Sequence, residues 1–392
     1  MTNSVKTKIL AASAAAYCVA NIGWWLQPAI IHEVMVKYAV KESAAGLLGS
    51  AEMVFVALGS ILIVKLFDKF SLRHIAILGI SVALIGTAMS ILVQDYNLLL
   101  VSRSLAGVGE GAMLAVASAS IANFDEPDKA YGKINIVAIL FGSAAAFSLP
   151  ETSEFFVMEH NVFPTILFGI ALMMPFILIL PNKVLKDETQ NPLSVAPPSR
   201  DVISWDLVTL VLGTFLVTVT TGAMWTFFYV LGDMAGLSEN QIHRAVAIAA
   251  LLSVLGALLA TLLGTKYGRF IPVIVGIVVL TITIVSMSYW HHPYIFRAAA
   301  ILLVAGNYFV VPYFLGYAAA QDSSGRDAAV VAAAFLLTGA VGPYLGGYVI
   351  ENFAVSAMAQ IVVCANTVAC VLFFILNRRQ ASSTDNLAKH TV

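Results

Sequence analysis

The chain has 392 residues, 60% of them hydrophobic and only 11% charged, with a mean hydropathy of +0.90. That composition excludes a soluble globular domain and describes an integral membrane protein in a lipid bilayer. The formal net charge of −1 gives no electrostatic ground for nucleic-acid binding, and Cys18, Cys364 and Cys370, all in apolar segments, indicate neither a disulfide framework nor a metal cluster.

Twelve apolar segments follow one another. The first, at 9–31 behind Lys6 and Lys8, is longer than the apolar run of a cleaved leader, about 7–15 residues. The next five are 44–66, 74–94, 98–123, 134–150 and 162–181. Residues 182–203 carry charges and three prolines and read as a linker. Six more segments, at 204–232, 244–264, 270–290, 295–319, 328–350 and 355–377, precede a polar tail, 378–392. The fold class expected is an all-α membrane protein with twelve transmembrane helices. Its domains are an N-terminal six-helix bundle (1–181) and a C-terminal one (204–377).

Loop charges set the orientation. With the N-terminus inside, sixteen of the 21 Lys and Arg fall on the inner side, four on the outer side, and Arg103 within a span. The positive-inside rule then places both termini and the linker in the cytoplasm, with the chain as a multi-pass protein of the plasma (inner) membrane.

The fourth segment holds Arg103 and Glu110, seven residues apart on one helix side, about 10.5 Å along the axis. A charge at that depth costs at least roughly 2.5–3.5 kcal/mol, so both need a protein-lined or water-lined face. Gly107, Gly109 and Gly111 remove side chains and let neighbouring helices come close. Glu52, in the second segment, lies about 15 Å deep, in one band with Arg103 at about 9 Å and Glu110 at about 20 Å. An acid that an arginine holds charged and burial holds neutral can bind and release a proton as the geometry changes. Proton coupling through Glu52, Arg103 and Glu110 is one reading, a buried ion pair that locks the bundle another, and a substrate anion on Arg103 a third. The C-terminal spans show no comparable acid, base or histidine in their interiors.

Those spans offer aromatics and hydroxyls instead. Thr214, Thr218, Thr221, Trp225 and Tyr229 form a helical stripe in the seventh segment. Asn307, Tyr308, Tyr313, Phe314 and Tyr317 flank Pro312 in the tenth, and Asn21, Trp24, Trp25 and Gln27 precede Pro28 in the first. Any one stripe is compatible with helix packing; together they describe an amphipathic cavity for a small organic molecule.

The halves echo one another. Asp68, Lys69 and Arg73 follow the second segment, and Lys266, Gly268 and Arg269 follow the eighth; the loops after the fourth and tenth end in Lys133 and, with Asp322, in Arg326. These charges either latch one conformational state or simply anchor the chain to the inner surface. Such duplication places substrate between the halves near the bilayer midplane.

On these residues the chain resembles the major facilitator superfamily over nearly its whole length. Asp68, Lys69 and Arg73 match part of that family's loop motif G-x-x-x-D-[RK]-x-G-R-[RK], although Val64 and Ser71 stand where glycine is preferred and Thr265 replaces the acid of the second copy. Arg103, Gly107 and Gly109 are similar to the fourth-helix pattern R-x-x-x-G-x-G, which implies proton coupling. Gly342, Pro343, Gly346 and Gly347 are similar to the G-P-x-x-G-G motif of drug/proton antiporters, here on the eleventh span rather than the fifth. Gly107 to Glu110 also resembles spinster-like members, whose first-helix Asp has no match in this chain.

No nucleotide loop, zincin helix or nucleophile elbow occurs, so no cofactor is expected and the chain reads as a transporter, not an enzyme. The expectation is a monomeric, proton-coupled secondary transporter of a small organic solute. A uniporter or anion exchanger with Arg103 on an anionic substrate is the alternative.

Overall fold

The computed structural model describes residues 3–67, 69–122, 124, 127–149, 161–180, 204–321 and 326–390. Thirteen helices fill them: α1 (Asn3–Tyr38), α2 (Glu42–Val64), α3 (Leu72–Leu92), α4 (Tyr96–Ile121), α5 (Pro127–Phe147), α6 (Phe163–Leu178), α7 (Trp205–Thr226), α8 (Phe228–Met234), α9 (Glu239–Leu263), α10 (Phe270–Tyr289), α11 (Pro293–Gln321), α12 (Arg326–Phe353) and α13 (Val355–His390). Eleven are long and apolar enough to cross a bilayer. The twelfth span is α6, whose 16 residues rise about 24 Å. This is the expected all-helical fold of twelve spans in two six-helix bundles. The linker at 182–203 lies outside the described residues.

Local chemistry sets the helix starts. Ser71, Asp95 and Ser204 accept the His74, Leu98 and Leu207 N–H groups at the heads of α3, α4 and α7. Ser238 and Gln241 form a capping box that begins α9 at Glu239, five residues before the apolar run. That early start draws His243 into the helix, where it is 9% exposed. Glu351, likewise, falls in the last turn of α12.

One correction concerns the seventh span. It is not continuous: the helix breaks at Phe227 (φ −104°, ψ 26°), and α8 continues it as a separate helix of 7 residues, about two turns. Tyr229 thus sits on α8, beyond the break, where it meets His32 and His243.

Short connections make consecutive helices antiparallel. Trp24, Gln27 and His32 of α1 meet Trp225, Thr226 and Tyr229 in the same order, so α7 and α8 run parallel to α1. The beginning of α1 and the end of α13 thus share one end of the molecule; the opposite end is termed distal. In α1, α4 and α7 between 67% and 72% of the most apolar window is buried, whereas α2 and α13 bury only 33%. Exposed Ile61, Leu62, Val101 and Leu262 give the outer helices the apolar surface that lipid requires.

The two helix sets meet mainly through α2 with α12, α5 with α9, and α1 with α7 and α8. These contacts gather towards the distal end. Thr226 Oγ1 donates to Gln27 Oε1 (2.9 Å), and Trp225 Nε1 donates to the Trp24 carbonyl (3.1 Å). Ser143 Oγ donates to the Ala247 carbonyl (2.9 Å). The Tyr344 N–H donates to Ser50 Oγ (3.0 Å), and Glu351 accepts from the backbone and hydroxyl of Ser43 while pairing with Lys41 at 3.3 Å.

Candidate functional site

Five helices of the N-terminal set converge on Arg103. Its Nε donates to Glu52 Oε2 at 3.0 Å and its Nη2 to Glu52 Oε1, a two-pronged pair between α4 and α2. Nη1 reaches Thr87 Oγ1 on α3 at 3.4 Å, and Nη2 lies 3.5 Å from Glu110 Oε1. The Phe163 ring at the head of α6 sits 5.6 Å from the guanidinium carbon. Gly23 supplies the α1 wall: a methyl group there would collide with Glu52 Oε1 and stand 3.2 Å from Glu110 Oε2.

The cluster is sealed. Arg103 and Glu110 are 0% exposed and Glu52 2%. Glu52 uses both oxygens on Arg103, whereas neither oxygen of Glu110 has a hydrogen-bond donor among the described residues. Two carboxyl groups thus share one guanidinium. If both acids were ionised the cluster would hold one surplus negative charge; with one proton it balances. In the hydrocarbon interior that difference decides which state the surroundings tolerate. Glu52 occupies the Nε–Nη2 edge of Arg103, and the Nη1–Nη2 edge faces Thr87 and Glu110, so a substrate anion would have to displace one of these partners in this conformation.

The three glycines of α4 make this convergence possible. Side chains at Gly107 and Gly111 would strike the α2 backbone at Glu52 and Val56, and one at Gly109 would strike Gly79 and Ala83 of α3. So α4 lies backbone to backbone against both neighbours. Gly342, Pro343, Gly346 and Gly347 do similar work on α12. Gly342 and Gly346 abut Ala223 of α7, Pro343 lies on Gly46 of α2, and Gly347 lies on the Glu42 carbonyl. That motif is therefore part of the distal seam between the halves.

The aromatic stripes divide. Trp25 stacks on Tyr308 (6.0 Å between centroids, 10° between planes) and meets Trp225 edge-on at 6.4 Å, joining α1, α11 and α7. The tip of Trp24 and the methyl group of Thr338 both lie against Gly222. Half-buried Asn21 donates its amide to the Tyr17 carbonyl (2.8 Å), and Asn307 is half-buried beside Tyr308. Other members turn into the C-terminal set. Thr218 bonds Thr338 (2.9 Å), Thr221 bonds the Val217 carbonyl (2.8 Å), Tyr313 donates to the Ala260 carbonyl (3.4 Å) and Tyr317 packs on Phe373 (5.9 Å). Tyr229 stacks on His32 (4.9 Å) and bonds His243 Nδ1 at the distal end.

Of the charged-loop residues, Lys69 is exposed and Arg73 half-buried; Lys266 Nζ lies 5.5 Å from the Tyr267 ring, and Arg269 lies against Gly316 of α11. Gly268 turns that loop with φ +68°. Asp68, Asp322 and the Arg326 side chain lie outside the described residues.

Three residues escaped the sequence reading. Thr87 and Gly23 carry no charge to flag them, although Gly23 does precede the Trp24-Trp25 pair. Glu33 lies just past the expected end of the first span, in IIHEVMVKY, where α1 in fact runs on to Tyr38.

A family model described as Major Facilitator Superfamily matches residues 13–321 and, in a second alignment, 210–391. The chain is 23% identical over 380 residues to the putative transporter AraJ of Escherichia coli strain K12, covering 92% of this chain and 93% of that one. Its fold is similar to the crystal structure of a mutant of the nucleoside transporter NupG, with a TM-score of 0.74 at 13% identity, over 95% of this chain and 99% of the other. A bacterial homologue of the human lysosomal transporter Spinster, solved inward-facing and unoccupied, gives a TM-score of 0.70 at 16% identity, over 96% and 98%.

Proposed function

The chain belongs to the major facilitator superfamily, and we propose that it is a secondary active transporter of a small organic solute, driven by a proton gradient and working by alternating access. The observation that carries this reading is the sealed cluster of two acids on one arginine. Intramembrane ionisable groups are costly and mark function by default, and a cluster whose charge balances only with one proton is suited to carrying it. The gathering of inter-bundle contacts towards the distal end supports a rocking mechanism, in which those contacts break as the opposite end closes. In this reading the termini are cytoplasmic, the distal end faces outward, the membrane is the plasma (inner) membrane and the chain works as a monomer. The solute binds between the bundles near Trp24, Trp25, Tyr308 and Asn307, where rings and amides from both bundles meet.

The test is reconstitution in liposomes loaded with a pH-sensitive dye, with solutes chosen by thermal-shift screening. Proton movement that accompanies solute entry in the wild type and vanishes in Glu110→Gln is the expected result. Solute flux indifferent to an imposed pH gradient, with no proton movement, overturns it.

A further inference from the structure

Glu33 lies on α1 ten residues past Gly23, towards the distal end, and is 3% exposed. Its Oε2 accepts the Val162 N–H at the head of α6, where Asn161 Oδ1 accepts the next N–H, that of Phe163, at 3.2 Å. Its Oε1 has no hydrogen-bond donor among the described residues. The head of α6 therefore satisfies half of a buried carboxyl group and leaves the other half open.

Four facts define its surroundings. Lys37 stands one turn further along α1, and Arg103 acts on Glu33 from α4. Phe163, next to Val162, carries its ring to that same guanidinium. From the opposite bundle comes Glu239, which opens α9 and reaches His243 Nε2 at 3.6 Å. His243 in turn is bonded to Tyr229, the ring that stacks on His32. Glu151, Glu154, Glu159 and His160 lie outside the described residues.

We infer that Glu33 is a second proton-binding site of this carrier, set at the distal seam and tied to its closure. His32, next to Glu33, stacks on Tyr229 of the opposite bundle, so Glu33 lies where the bundles meet. A proton makes Glu33 neutral, the form that burial at this seam favours, so binding the proton favours a closed distal end. Linkage requires the converse: opening the distal end favours release or exchange of that proton. The site's place in a transport cycle rests on the proton-coupled reading above; proton binding by Glu33 does not.

Infrared difference spectroscopy of the purified full-length protein, taken between acid and alkaline buffer, reads protonated carboxyl groups directly. Glu33→Gln keeps an oxygen for the Val162 N–H but cannot titrate. It should lose one carboxyl component, keep the component that Glu110→Gln removes, and melt near the wild-type temperature. Glu33→Ala should melt lower, because it also strips the head of α6 of its acceptor. A Glu33→Gln spectrum identical to wild type overturns the inference and leaves Glu33 as an acceptor for α6 only. Glu33→Asp provides a second route, since it retains a carboxyl in altered surroundings: its component should shift, and an unmoved component likewise overturns the inference. If the Glu33 component is present while Glu110→Gln removes nothing, the Glu33 site stands and proton carriage by the arginine cluster falls.

Discussion

Glu52 holds Arg103 by both prongs of its fork, with Nε to Oε2 at 3.0 Å, although the two residues are 51 positions apart on different helices. Glu110, on the same helix as Arg103, is left with a single approach of 3.5 Å. The two acids are therefore not equivalent: one anchors the arginine, and the other is the freer to exchange a proton.

That inequality separates two substitutions. Glu110→Gln removes a proton carrier but leaves the anchoring pair, so pH-driven accumulation should disappear while counterflow exchange of the solute continues. Counterflow needs only reorientation of the loaded carrier. Glu52→Gln breaks a buried pair from one side, which costs up to about 3–5 kcal/mol. It should lower the melting temperature and the yield, and Glu52→Gln with Arg103→Met should restore both. Wild-type accumulation by Glu110→Gln would remove this acid from the coupling scheme.

Arg103→Lys preserves charge without the fork. A lysine cannot close on both Glu52 oxygens while approaching Glu110, so the variant should keep part of the coupling with a displaced pH optimum. If Arg103 instead clamped a substrate anion, solute affinity would fall by about 1.4 kcal/mol or more, tenfold, with proton stoichiometry intact. Paired measurements of solute affinity and of protons moved per solute distinguish the two.

Gly347 meets the carbonyl of Glu42 at the distal seam, where only hydrogen fits. Gly347→Leu should push α12 off α2 at an overpacking cost of about 1–3 kcal/mol, borne by the distally closed state. In a background without Cys18, Cys364 and Cys370, a cysteine substituted for Gln27 should then react faster with an impermeant thiol reagent. Unchanged labelling would show that this contact does not hold the distal end shut.

Reporter fusions check the charge-based orientation. Fusions near Ser194 and Thr391 should both report cytoplasm, as sixteen of the 21 basic residues demand. An external signal at either position rejects it.

The spans were legible because hydropathy is a sum over many residues, and the arginine cluster because Glu52, Arg103 and Glu110 are conspicuous in apolar surroundings. What escaped depends on relations that a local window cannot hold. The seam joins Gln27 to Thr226 and Ser43 to Glu351, 199 and 308 positions apart. The break at Phe227 has no glycine or proline to announce it. Glu33 was lost because the first apolar run was ended at residue 31, whereas α1 continues through its charged end by packing against α6. The stripe of Thr218 and Thr221 has a correct helical spacing up to the break at Phe227, but spacing does not reveal that a neighbouring helix already uses the Thr218 hydroxyl.

The backbone-close seating of α4 between α2 and α3 limits how a proton's arrival can be communicated. Helices in contact through glycines have no side chains left to rearrange, so α2, α3 and α4 form a stiff slab. The piece free to answer is α1, whose Gly23 touches both acids while the tryptophans that follow it reach the opposite bundle. In the proposed coupling, a change of charge at the acids would reach the opposite bundle through this single helix. The same helix bears Glu33 towards its distal end, so in that proposal both proton sites and the tryptophans at the solute's side share one rod.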